Sequence, residues 1–273
     1  MRTLAVTAAL VLALGAGSVW AWPVNTVYVA GFWTDDTLRL HDDALNELVL
    51  FAAGPRKPNG LATDGTSVWA AHPSTREVVI YNDAGVRIGG WTDLAALAQV
   101  QGLAYVSPDL LAVATYDEIR LHHPDDGTYV RTLLAAPDLG PYTEGLAWDG
   151  EYLWRLAMDE IIATNIANGQ TEASIPNPAS VYAGESGNGL TCNSPGQLTV
   201  AAQSGKWWIV DTDDGSVIVD GTNGAGMYAL TAVVESEAIP EPMTAAVVLL
   251  GMMPSLLIRR RRRRSARGIS SGA

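Results

Sequence analysis

A single cysteine, Cys192, is all the thiol chemistry in this chain of 273 residues, so no disulfide can form within it. It lies in the apolar stretch Leu190-Thr191-Cys192 with no partner for a nucleophile, and reads as a small buried hydrophobe. Histidine is scarce too. His41, His72, His122 and His123 are the only four, and none has the spacing of a metal ligand set. His122-His123-Pro124-Asp125 reads as a polar strand end running into a turn. Gly-x-Ser-x-Gly elbows, phosphate-binding glycine loops and Cys–His pairs are all missing, which removes the common routes to covalent and nucleotide chemistry. Positive charge is also short between the chain ends. All 29 acidic residues lie from Asp35 to Glu241, but only 9 of the 17 basic ones do, so that body carries about −20 rather than −12. Such a surface repels phosphate backbones and excludes nucleic acid as a partner. It fits solubility, cation binding or both.

The basic residues are concentrated at the C-terminus. Ile239-Pro240-Glu241-Pro242 is followed by an apolar run from Met243 to Ile258 and then by Arg259, Arg260, Arg261, Arg262, Arg263 and Arg264. Proline on both sides of the carboxylate makes an exposed, extended joint. Sixteen apolar residues are long enough to enter a bilayer as a helix, and the arginines stop transfer on the cytoplasmic side. Residues 239–264 closely resemble the PEP-CTERM sorting signal, which implies recognition by an exosortase-type sorting protease in a Gram-negative bacterium. The N-terminus agrees with export: Arg2, the apolar stretch Leu4 to Leu14 and the small-residue site Val19-Trp20-Ala21 form a signal peptide for signal peptidase. The expected organisation is signal peptide over 1–21, one domain over 22–236, and a linker with the sorting motif over 237–242. A transmembrane helix over 243–258 and an Arg-rich cytoplasmic tail over 259–273 complete it. The expected route is an inner-membrane intermediate, then the cell surface or extracellular matrix.

The body repeats. Gly60-Leu61-Ala62-Thr63-Asp64-Gly65 recurs as Gly102-Leu103-Ala104-Tyr105, as Gly145-Leu146-Ala147-Trp148-Asp149-Gly150 and as Gly189-Leu190-Thr191, with a weaker copy at Ala229-Leu230-Thr231-Ala232. The leucines at 61, 103, 146, 190 and 230 are spaced by 40 to 44 residues. Each of the first four is followed by three more short apolar runs joined by turns rich in Asp, Asn and Gly, the pattern of antiparallel hairpins. Four strands in about 40 residues make one blade of a β-propeller. Residues 26–52 supply three strands without a first one, and the last copy supplies a first strand without the rest. Joining the two gives an all-β, five-bladed propeller of four-stranded blades, closed by N- and C-terminal strands. The Gly-Leu-Ala-x-Asp-Gly phrase before a strand such as Ser67-Val68-Trp69-Ala70 resembles the NHL and YVTN type of blade, over roughly residues 25–236.

Asn59, Gln101, Glu144 and Asn188 each precede a repeat's first strand, so all four face one channel mouth with a side-chain oxygen. They are the candidate ligand or metal residues, because calcium takes six to eight such oxygens. Calcium-dependent propellers of the gluconolactonase and senescence-marker type are similar at Asn59-Gly60, Glu144-Gly145 and Asn188-Gly189. That likeness implies an alternative function, a calcium-dependent hydrolase of lactones or esters. This chain departs from that family in having five blades rather than six and in lacking a completing Asp. Acidic pairs at Asp35-Asp36, Asp117-Glu118 and Asp159-Glu160 fall in the loops between second and third strands, on the same face. The turns Asp64-Gly65 and Asp149-Gly150 are explained by hairpin chemistry, not by a calcium loop. With 9 Trp and 9 Tyr against 2 Phe, the aromatic usage suits contact with sugars, and Trp207 and Trp208 are the candidate carbohydrate contacts. The favoured expectation is a non-enzymatic surface or matrix propeller, associated with exopolysaccharide through what PEP-CTERM cargo implies. A structural protein that binds no small molecule is the third class.

Overall fold

Twenty β-strands form among the described residues of the computed structural model, which cover 28–232 except 33–36, 43–44, 46, 54–57, 93–99, 137–138, 140–142, 186 and 223–226. The expected signal peptide, the Pro240-Glu241-Pro242 motif, the apolar run 243–258 and the arginine block lie outside these residues. Among the described residues, no helix is long and apolar enough to cross a membrane.

The strands follow the repeat. β1 (Tyr28–Phe32), β2 (Thr37–His41) and β3 (Glu47–Ala53) precede the first complete blade, β4 (Gly60–Thr63), β5 (Ser67–His72), β6 (Glu77–Asn82) and β7 (Arg87–Thr92). The next blade is β8 (Gly102–Ser107), β9 (Leu110–Ala114), β10 (Glu118–His122) and β11 (Tyr129–Ala135). Then come β12 (Gly145–Trp148), β13 (Leu153–Leu156), β14 (Glu160–Thr164) and β15 (Thr171–Pro176). A π-helical turn, Ala179–Ala183, leads to β16 (Gly187–Ser194), β17 (Gln197–Ala202), β18 (Lys206–Asp211) and β19 (Val217–Thr222), and β20 (Met227–Ala232) ends the set. β20 pairs antiparallel with β1, opposing Leu230 to Ala30 and Ala232 to Tyr28, so the first sheet is ordered β20-β1-β2-β3. The innermost strands touch in the cycle β4, β8, β12, β16, β20 and back to β4. The result is a closed five-bladed propeller whose last blade is made by both ends of the domain.

The Gly-Leu pair has a packing reason. Adjacent residues on a strand point to opposite faces, and in a radial blade each face meets a neighbouring blade. The glycine faces the following blade. A Cβ on Gly102 would sit 2.8 Å from the backbone nitrogen of Leu146, and one on Gly60 2.9 Å from that of Leu103. The leucine faces the preceding blade. Leu61, Leu103, Leu146, Leu190 and Leu230 are all buried, and each belongs to a different one of five apolar clusters between blades. Leu103 packs with Trp69 and Trp91, for example, and Leu190 with Trp154 and Leu198. Burying one such side chain stabilises by about 1.5–3 kcal/mol.

The hairpin turns are built as their sequences require. Asp64 Oδ1 accepts from the backbone N–H of Thr66 and Ser67, and Asp149 Oδ1 from those of Glu151 and Tyr152. Gly65 and Gly150 follow at φ 89° and 103°, where a side chain would be strained. His41 and His122 end equivalent third strands, buried, with Nδ1 2.9 Å from the carbonyls of Leu45 and Gly127. The register also skips one residue at the same place in every fourth strand: Leu48, Ile88, Val130, Glu172 and Ile218. A bulge on each outer edge twists that edge and interrupts the hydrogen-bonding row that another chain would extend.

Candidate functional site

Chain direction alternates across each blade. One channel mouth therefore gathers the starts of the inner strands, the turns between second and third strands, and the connectors between blades. The four sequence candidates meet at this mouth in equivalent places, each one residue before a ring glycine. The backbone N–H groups of Asn59, Gln101 and Glu144 donate to Ala71, Ala114 and Leu156 on the second strands, at 3.0, 2.9 and 2.8 Å. Asn188 lies where the β16–β17 register shifts between Gly187 and Gly189.

Their side chains differ in what they do. Asn59 Nδ2 donates to Val100 O of the next blade at 3.3 Å, an inter-blade brace. Glu144 is half-buried, and its carboxylate accepts no hydrogen bond or ion pair among the described residues. Burial pushes its pKa up to about 7 from an ordinary carboxylate value. Beside it, the hydroxyl of Thr143 is buried with no hydrogen-bond partner among the described residues. Arg155, on the second strand of the same blade, is buried with its Nη1 donating to Leu139 O and its Nε without a partner among the described residues, and burial lowers its pKa.

Together the four side chains supply one carboxylate and three amide oxygens, so a calcium ion, which takes six to eight oxygens, would need further ligands such as waters to complete its shell. Among the described residues, no group of three or more His, Cys, Asp or Glu side chains is arranged to hold a metal. The acidic loops are engaged locally. Asp159 Oδ1 accepts from Ser180 Oγ at 2.7 Å, and Glu118 pairs with Arg120 at 2.5 Å. Asp35-Asp36 lies outside the described residues.

The two tryptophans singled out for sugar contact are both buried, Trp207 at 6% and Trp208 at 4% exposure. Trp207 packs with Tyr28 and Met227, and Trp208 on the opposite face with Trp154 and Val210. Alternation along β18 does send them to opposite faces, but in a radial blade both faces are covered by neighbours. Neither indole offers a ring for stacking, which corrects that expectation.

Sequence reasoning missed the residues that are exposed at this mouth. Tyr116 and Met158 occupy the same position in equivalent turns, at 41% and 50% exposure, and Val181 and Tyr182 project from the π-helical turn at 59% and 65%. The available signal was an apolar residue in front of two of the three acidic pairs, in Tyr116-Asp117 and Met158-Asp159, where a turn would otherwise be wholly polar. Further along the axis, Thr63, Tyr105, Trp148, Thr191 and Cys192 help to line a cavity of about 100 Å³. That volume is roomy enough for several waters. Burial, first, pushes the Cys192 thiol up to about 11, and its Sγ lies 3.2 Å from Ser194 O. It is an inert thiol at neutral pH.

No known protein family matches the chain, and no curated protein matches it in sequence. The likeness of residues 239–264 to a PEP-CTERM tail, and of the blades to the NHL type, rests on the residues themselves.

Proposed function

We propose that this chain is an exported, surface-sorted β-propeller with a binding or scaffold role in an extracellular polysaccharide matrix. The observation that carries this reading is the pairing of a closed propeller body with a tail built as Pro-Glu-Pro, apolar run and arginine block. Signal peptidase removes residues 1–21, the apolar run holds the intermediate in the inner membrane, and an exosortase-type protease acts at Pro240-Glu241-Pro242. A body charge of about −20 supports a solvated life outside the cell. Several turn and strand residues that carry chemistry elsewhere are engaged here in structure: Asp64 and Asp149 in hairpins, His41 and His122 on turn carbonyls, the thiol on a backbone contact.

Glu241→Ala tests the sorting step. Cell fractionation should find the variant as an uncleaved precursor in the inner membrane, with the wild-type protein at the surface. Normal processing of the variant would reduce the tail to a plain anchor.

A further inference from the structure

The channel has a second mouth. It gathers the ends of the inner strands, the turns between first and second strands, and those between third and fourth strands. Asp64, Asp83, Asp109, Asp125, Asp149 and Asp213 stand in these turns, and among their described residues there is no Lys or Arg. The cavity of about 100 Å³ is lined by the inner strands beyond their ring glycines, so it lies toward this mouth. We propose that this cavity takes the head of a small organic cation, an alkylammonium group, with Tyr105 and Trp148 as its π surfaces and the Thr231 hydroxyl as acceptor for its N–H. This site is independent of the matrix reading above.

The repeat brings the two rings together. Thr63, Tyr105, Trp148, Cys192 and Ala232 each stand two residues after a ring leucine, one per blade, and all line the one cavity. Tyr105 and Trp148 come from β8 and β12, inner strands that touch. Tyr105 is held from behind. Its ring stacks on that of Trp69, with centroids 5.1 Å apart and planes 21° from parallel, and Trp69 Nε1 donates to Pro124 O at 2.9 Å. Trp148 is half-buried against the apolar cluster that contains Leu146 and Leu153. Aromatic faces attract a cation through their quadrupoles, and Trp does so best. Rings already fixed by packing lose little entropy when a ligand arrives.

The polar groups decide the ligand's charge. Thr191 and Thr231 stand where the other three blades have Ala62, Ala104 and Ala147. The Thr191 hydroxyl accepts from the N–H of Ala232 at 2.7 Å. Thr231 is only 6% exposed, lines the cavity and makes no side-chain hydrogen bond among the described residues. A buried hydroxyl without a partner is costly, and an ammonium N–H would satisfy it. Carboxylates supply the field. Burial, then Asp64, Asp125 and Asp109, raise the pKa of the Tyr105 hydroxyl, and burial, then Asp149, raise that of the Cys192 thiol. Negative potential thus reaches the cavity from four different turns. Rings in place of further oxygens favour an organic cation over a hard metal ion.

The test follows the melting of the full-length chain, in a mild non-ionic detergent, as n-butylammonium chloride is added. A ligand of the native state raises Tm according to its concentration over Kd. The wild-type chain should be stabilised well beyond the effect of sodium chloride at the same ionic strength, and n-butanol should give no such rise. Trp148→Leu should need about tenfold more butylammonium for the same rise. The Asp109→Asn/Asp125→Asn double variant, changed only in exposed turns and so safe to fold, should need about threefold more. Asp117→Asn, at the other mouth, should respond as wild type. An equal rise with sodium chloride or with butanol would overturn the cation as ligand. A rise that Trp148→Leu and the double variant leave unchanged would overturn the placement. No rise at all would overturn the proposal outright, while surface localisation, scored separately by fractionation, still decides the export reading.

Discussion

Gly102 shows how one residue carries the architecture. Its missing Cβ would meet the backbone of the next blade at 2.8 and 3.0 Å, and backbone at the centre of a closed ring has nowhere to go. Gly102→Ala should therefore destabilise by about 1–3 kcal/mol, the usual cost of overpacking. At this domain size that lowers Tm by roughly 2–4 °C per kcal/mol. Gly89→Ala is the control, because its Cβ would meet only Ile80 at 3.5 Å, an ordinary contact. Equal melting of the two variants would remove the ring explanation of the Gly-Leu repeat. Glu144 makes a second prediction at this scale. Its folded pKa of about 7 exceeds the ordinary value of 4.5, so the folded state holds the proton more tightly. The stability this allows is complete below about pH 4.5, is lost as pH rises through 7, and stays lost above it. Glu144→Gln should thus raise Tm at pH 8 and leave it unchanged at pH 4. Solvent screening of a half-exposed group holds the gain to about 1–2 kcal/mol. An equal gain at both values would mean that packing, not charge, is responsible.

At the scale of elements, the closing strand decides whether the blades form a ring. β20 pairs with β1 along Tyr28–Phe32, and the N–H of Ala232 donates to Thr191 Oγ1 of the neighbouring inner strand at 2.7 Å. A chain shortened to end at residue 226 lacks β20, leaving β1 and both neighbouring inner strands with open faces. Differential scanning calorimetry should show no cooperative transition for it, whereas a chain ending at residue 238 melts as one unit. A shared Tm would show that the ring is dispensable. This closure was legible in the sequence because the strand missing at one end is the strand left over at the other. The Gly-Leu spacing was legible too, since each blade repeats the same contact. Trp207 and Trp208 were not. Alternation predicts two faces but not that both are covered, which depends on where the neighbouring blades stand. Tyr116 and Tyr182 escaped for a related reason: a turn residue's exposure depends on the loops around it. The recurring bulge at Leu48, Ile88, Val130, Glu172 and Ile218 was also hidden, because one extra residue in a variable hairpin leaves no mark on the spacing.

For the whole molecule, the propeller and the tail divide the work. The ring supplies a rigid, strongly acidic body whose outer edges are interrupted by bulges, features that suit a crowded extracellular setting. One channel mouth holds the half-buried Glu144 and Asn188, and under the proposed function the tail would supply the address. The most direct check of this account is mass spectrometry of the C-terminus of the form recovered from the cell surface. It should lack the apolar run 243–258 and the arginines 259–264, ending close to Pro240-Glu241-Pro242. A surface form that keeps Arg259–Arg264 would contradict the account and leave the chain a propeller on an uncleaved anchor.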